Sequence, residues 1–302
     1  MSVAKGTVRV RALIALAMVC FFWGTTWIAS KEGVKHMPAL QLAGIRQSLG
    51  GILYCIYFIA KGYRFPKGRE WWPVIVLSML NFVLTNGLTT LGLKYITAGL
   101  GAIMSAIFPL WVVLIGLFRT GKLPPLKAMT GLFLGFGGIC IIFYEHLEHL
   151  LVAEFRYGII LSIIASWTWA LGTMYTKSQA TKFNPYFSIG LQMVISGIIM
   201  GGAAGATGNT MPLSDIPWPA WASIGYLVIF GSVISFVAYL YSLQHLPTEQ
   251  ASIYAYLNPV IAVISGFLVY GDPLTLALAL GGAVILYGVY LINNVYKKTS
   301  SG

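Results

Sequence analysis

One charge stands alone inside a long apolar run. Arg46 lies in the stretch Ala39–Ala60, about seven residues from its start, which on a helix is a depth of about 10 Å. A charge at the centre of a bilayer costs roughly 2.5–3.5 kcal/mol on insertion scales, and arginine does not escape by losing its proton. As a binding residue Arg46 would attract a carboxylate or a phosphate. As a structural residue it would hold neighbouring carbonyls or snorkel outward. Both readings stay open at this level. Aromatic side chains form a second group. Trp23 and Trp27 are four apart and share one helix face, with Thr26 beside them. Trp169, Tyr239, Tyr254, Tyr256 and Asn258 lie in other apolar runs, and Phe108 directly precedes Pro109. A cavity walled by such residues would suit a neutral, amphipathic or aromatic metabolite, through stacking and hydroxyl hydrogen bonds. Helix packing is the alternative. Polar stripes form a third group: Ser78, Asn81, Thr85 and Thr89 with Asn86 in one run, and Ser232, Ser235, Tyr239 and Ser242 in another. Stripes of this kind turn away from lipid and either tie helices together or line a wet path. Pro109 and Pro259 each remove a backbone donor in mid-run, which would make gating kinks or static bends.

Other chemistries find no support. All eight acidic residues fall in loops or at the ends of apolar runs, as do the four histidines. No buried acid–base relay follows, so coupling to a proton or another ion is left to a group such as Glu249 or to the substrate itself. There is no HExxH, no GxSxG and no Walker A sequence, so an enzyme or a directly ATP-driven pump is not expected. The three cysteines (Cys20, Cys55, Cys140) sit in apolar runs without CxxC spacing and read as small apolar side chains. No metal and no cofactor is expected.

These residues need a frame, and the composition names it. Of 302 residues 58% are hydrophobic and 9% charged, against about 25% charged in a soluble domain, and the mean hydropathy is +0.80. A helix needs about 20 apolar residues to cross a bilayer. Ten runs qualify: Ala12–Ser30, Ala39–Ala60, Trp72–Leu91, Ala98–Phe118, Ala128–Tyr144, Tyr157–Thr176, Tyr186–Ala206, Ala220–Leu243, Ala251–Tyr270 and Thr275–Val295. The first lacks a small-x-small cleavage site and reads as an uncleaved anchor. With the N-terminus inside, 14 of the 19 Lys and Arg fall on the inner side and 4 on the outer. That asymmetry fits the positive-inside rule with both termini cytoplasmic. The net charge of +11 is then topology, and no nucleic-acid partner is expected.

The chain also repeats itself. An offset of 146 residues brings Trp23 onto Trp169, Arg46 onto Gln192 and Gly51 onto Gly197. From the third run onward an offset of 150 brings Pro109 onto Pro259 and Gly116, Gly121, Gly131 and Gly138 onto Gly266, Gly271, Gly281 and Gly288. Residues 1–150 and 151–302 thus read as two five-helix domains. Five is odd, so the second half enters the membrane from the other face, and the expected fold is all-α: ten transmembrane helices as two inverted five-helix repeats around a central cavity. Inverted repeats are a common transporter design, with a site near the midplane opened to either side in turn. The paired glycines read as close-packing positions.

Four segments carry a family resemblance: FWGTTWIASK (Phe22–Lys31), GIRQSLGGIL (Gly44–Leu53), Thr85–Leu114 and its echo Tyr239–Thr275. In these the chain resembles the drug/metabolite transporter superfamily, in its ten-span branch with two EamA-type domains. The resemblance implies a secondary transporter of small metabolites, with export of amino acids or related compounds favoured, in a bacterial-type cell (inner) membrane. The small four-span multidrug members keep a glutamate in their first span. The corresponding stretch here, Ala17–Trp23, has none, which argues against proton/organic-cation exchange. A small-molecule substrate and the lipid bilayer are the expected partners, and a monomer is the default assembly. A channel, an uncoupled facilitator or a non-transporting membrane partner is the alternative.

Overall fold

The computed structural model describes residues 2–121, 125–144, 152–179, 184–246, 251 and 254–299. Among them all regular structure is helical. α1 (Ser2–His36) and α2 (Ala39–Ala60) are continuous. The third apolar run folds as α3 (Trp71–Leu77), a π-helical segment (Ser78–Gly87) and α4 (Leu88–Gly92). The fourth is α5 (Ala98–Ser105) and α6 (Phe108–Thr120), and the fifth is α7 (Leu126–Tyr144). α8 (Ala153–Gln179) and α9 (Pro185–Ala206) follow. The eighth run repeats the plan of the third, with α10 (Trp218–Tyr226), a second π-helical segment (Leu227–Ile234) and α11 (Ser235–His245). α12 (Tyr254–Tyr270) and α13 (Leu276–Thr299) complete the chain. Among the described residues seven stretches are long and apolar enough to cross a membrane by length and composition, and Met129–Ile142, Leu257–Tyr270 and Leu276–Gly288 are shorter apolar helices. The protein is a multi-pass membrane protein.

Local chemistry explains several of the boundaries. Thr97 caps α5 by accepting from Leu100 N at 3.2 Å. Asn184 caps α9 by accepting from Tyr186 N and Phe187 N, each at 3.0 Å, and Pro185 occupies the first turn, where a missing N–H is not needed. Gly121 (φ 64°) and Gly271 (φ 69°) adopt the left-handed conformation at matching ends of the fourth and ninth runs. The prolines do not match. The mid-run kink expected at Pro109 is instead a helix break: α5 ends at Ser105, and Pro109 lies in the first turn of α6, where it removes no helical hydrogen bond. Pro259 does lie inside α12.

Glycines set two antiparallel crossings. Between α2 and α9, a Cβ on Gly44 would lie 2.9 Å from Gly201 N, and one on Gly51 would lie 2.6 Å from Val194 N. Between α7 and α13, a Cβ on Gly138 would lie 2.6 Å from Gly281 O, and one on Gly288 would lie 2.5 Å from Gly131 O. Backbone contact this close admits no side chain. Gly116 departs from the close-packing expectation, because a Cβ there would meet nothing within 4 Å, and Gly266 faces the Asp272 carboxylate rather than another helix.

α1 packs against the eighth run and α12, and α8 packs against the third run, α5 and α6. Ser242 Oγ donates to Ala12 O at 3.2 Å near the start of α1, and Thr25 meets the Tyr226 hydroxyl at 2.6 Å nearer its end. α1 is thus antiparallel to the eighth run. The third run stands in the same relation to α8, through Asn81 against Gly172 and Thr85 Oγ1 against Thr168 Oγ1 at 3.0 Å. Lys31 Nζ, near the end of α1, donates to Leu93 O and Ile96 O at 2.7 and 2.8 Å. A Cβ on Gly158, near the start of α8, would lie 2.9 Å from Tyr95 Cβ and from Ile96 Cγ2. The end of α1 and the start of α8 therefore meet one turn of chain, and the two helices run in opposite directions.

Candidate functional site

Where α1, α8, α11 and α12 converge, aromatic rings fill the space. The Trp23 ring centre lies 4.9 Å from Tyr254, 5.1 Å from both Phe236 and Tyr239, and 6.1 Å from Trp169. Tyr239 and Tyr254 are 5.4 Å apart, and the Trp169 indole N–H donates to the Tyr254 hydroxyl at 3.0 Å. Phe108 and Tyr239 are buried in the same apolar cluster. These residues come together as the sequence suggests, in an aromatic plug whose Trp23 and Trp169 stay half-buried.

The π segments flank that plug. In a π turn the N–H bonds five residues back instead of four, and every carbonyl in an apolar setting still needs a donor. Side chains supply some of these donors. In the first segment Thr85 Oγ1 donates to Leu80 O at 2.7 Å and Asn86 Nδ2 to Asn81 O at 2.8 Å. In the second, Ser235 Oγ donates to Phe230 O at 2.5 Å. Donor and acceptor each match across the offset of 150. The second pair does not match. The equivalent of Asn86 is Phe236, which has no donor, and Gly231 O is reached instead by the Trp23 indole at 3.0 Å.

Polar groups gather at each π segment. Arg46 leaves α2 toward the second: a Cβ on Gly231 would lie 3.0 Å from Arg46 Nη2 and 2.8 Å from Thr26 Cγ2. Arg46 is 7% exposed, and its Nε is enclosed without a hydrogen-bond partner. No hydrogen bond or ion pair joins it to any described residue, so the expected alternative of backbone capture is not what holds it there. Its neighbour Gln47 is 0% exposed, with neither amide atom paired. At the first segment Ser78 Oγ donates to Gln192 O at 2.9 Å, and Gln192 Nε2 donates to Ser188 Oγ at 2.8 Å. Gln192 Oε1 and Asn81 Oδ1 are enclosed and unpaired. The Asn81 oxygen occupies the space a Cβ on Gly172 would need. Thr26 lies one turn past Trp23, and Gly172 lies one turn past Trp169. Because α1 and α8 are antiparallel, the cationic group and the amide group fall on opposite sides of the aromatic plug.

Other expected site residues make contacts within and between helices. The edge of the Trp27 ring (Cζ3) would lie 2.8 Å from a Cβ on Gly101. The Asn258 amide ties helices, donating to Tyr254 O and Cys20 O at 3.0 Å each. Thr26 Oγ1 donates to Trp23 O at 2.7 Å. The Tyr256 side chain and all of Glu249 lie outside the described residues. Among the described residues no group of three His, Cys, Asp or Glu could hold a metal. Sequence reasoning missed Gly172, Gly231, Phe236 and Gln47. Carrying Thr26 forward by 146 and Asn81 by 150 finds the two glycines.

The model of the EamA-like transporter family matches residues 10–144 and 156–294. The uncharacterized transporter YvbV of Bacillus subtilis (strain 168) is 28% identical, over 96% of this chain and 93% of its own length. The uncharacterized inner membrane transporter YedA of Escherichia coli (strain K12) is 29% identical, over 93% of this chain and 89% of its own length. A solved crystal structure shares the fold at a TM-score of 0.68 and 16% identity, covering 93% of this chain and 96% of that one.

Proposed function

The chain belongs to the EamA-like transporter family, and from that premise we propose that it is a secondary carrier working by alternating access between two inverted five-helix halves. Its cargo on this reading is a small metabolite, an amino acid or a related compound, moved outward across the cell (inner) membrane. The observation that carries the reading is the relation of equivalent parts. α1 and α8 run in opposite directions, α2 packs on α9 and α7 on α13, and equivalent π segments flank one aromatic plug. π turns recur at functional sites and break the regular ladder of a helix. Two such breaks on either side of a plug are where each half could bend to open one face. The name of the relative YedA, an inner membrane transporter, supports the location.

The test is uptake of a panel of labelled amino acids and metabolites into proteoliposomes, with and without a proton gradient. A carrier saturates and shows counterflow, in which unlabelled solute inside accelerates labelled uptake. Flux that rises linearly with concentration and shows no counterflow would identify a channel and overturn the reading.

A further inference from the structure

We propose that Arg46 seats a monovalent organic anion: a carboxylate on a body that carries no fixed positive charge. The setting rests on the carrier reading above, but binding can be measured apart from transport. Three observations carry the proposal. First, Arg46 is buried as a residue, its Nε is enclosed and no described group pairs with its guanidinium, and a largely buried charge without a partner is costly to hold. Second, no described carboxylate pairs with Arg46, and Glu154 lies away in the first turn of α8. Glu32 takes Lys35, His36 and the Tyr270 hydroxyl, Glu70 takes Arg64, Asp215 takes Ser214, and Asp272 lies against Gly266. Nothing among the described residues compensates the charge, and on this proposal a ligand does. Third, Gly231 lets the guanidinium come close to the second π segment, since a Cβ there would lie 3.0 Å from Arg46 Nη2 and 2.8 Å from Thr26 Cγ2.

The chemistry narrows the ligand. A guanidinium presents a planar fork that matches two carboxylate oxygens. One cation balances one negative charge, whereas a phosphate monoester brings about −1.5 to −2 and would leave an excess. Across the aromatic plug the unpaired groups are the neutral oxygens of Asn81 and Gln192. No described carboxylate stands beside the plug to balance an ammonium. The arrangement therefore favours an anion, which narrows the cargo proposed above from amino acids to related carboxylates without an ammonium group.

The experiment is thermal unfolding of the purified full chain in detergent at constant ionic strength. Sodium propionate is compared with sodium chloride, with propionamide and with propylammonium chloride. Propionamide has the shape of propionate without its charge. The expected result is a rise in melting temperature of about 2 °C or more with propionate alone. Arg46→Gln abolishes the rise. Arg46→Lys keeps the charge but not the fork, and Gly231→Ala keeps the charge but crowds Nη2; each diminishes the rise. These last two decide the matter if Arg46→Gln does not fold. The proposal is overturned if propionamide or chloride stabilises as well as propionate, or if the Lys and Ala variants respond like the parent. Saturable transport of other solutes with no propionate effect sinks this proposal alone. A propionate effect without transport sinks the carrier reading alone.

Discussion

The third and eighth runs break into π helix at equivalent places, yet they are finished differently. In the third run the caps come from within, since Thr85 and Asn86 both reach back to their own helix. In the eighth the Ser235 cap is internal, but the Gly231 carbonyl depends on Trp23 of another helix. One residue explains the divergence. Where the first half has Asn86, the second has Phe236, which joins the aromatic plug instead. With Asn81 O already capped, Trp169 turns its indole to Tyr254. The bulk at the crossing is also exchanged between the halves. Thr26 stands opposite Gly231, whereas Gly172 stands opposite Asn81. Two runs with the same backbone plan thus differ in the side chains at their crossings, with a cation at one and the Asn81 amide at the other.

The largest effect expected comes from breaking that exchange. Gly172→Thr places a side chain where the Asn81 oxygen lies and should cost about 1–3 kcal/mol by overpacking, read as a lowered melting temperature in detergent. Adding Asn81→Gly recreates the Thr26–Gly231 arrangement and should recover most of the loss. Independent, additive effects in the double variant would show that the two crossings are not equivalent. Next comes Trp23→Phe, which leaves the Gly231 carbonyl unpaired at a cost of about 1–3 kcal/mol. Trp169→Phe frees only a hydroxyl able to find another partner, at about 0.5–1.5 kcal/mol. Equal losses in the two would contradict the capping difference. The smallest effect belongs to the caps that do match. Thr85→Val and Ser235→Ala should each cost about 1 kcal/mol. Thr85 should be the dearer of the two, because its hydroxyl also meets Thr168 at 3.0 Å.

Much of this frame was legible in the residues. Apolar runs of membrane length mark the helices, and glycines mark close helix crossings, because such crossings tolerate nothing larger. Gly51 and Gly138 show that directly. The π segments were not legible. A five-residue register leaves no mark on hydrophobic patterning, and the hydroxyls of Thr85 and Ser235 read as ordinary members of polar stripes. Pro109 misled for a related reason: a proline in the middle of an apolar run looks like a kink, whereas a chain break just before it makes it a helix start. Arg46 stood out as a lone charge, but its lack of partners is a matter of geometry that spacing alone does not reveal. The helix contacts of Asn258 and Trp27 were not legible either, because polarity and aromaticity do not distinguish a ligand contact from a helix contact.

The inverted relation of the halves is tested most directly by thiol accessibility. Ala29 and Tyr175 are equivalent at the offset of 146 and both half-buried. In a chain with Cys20, Cys55 and Cys140 replaced by alanine, a cysteine is placed at one position or the other. A membrane-impermeant thiol reagent is then added to sealed vesicles of known orientation. The account predicts that the two positions react from opposite faces of the membrane. Reaction of both from the same face would contradict it.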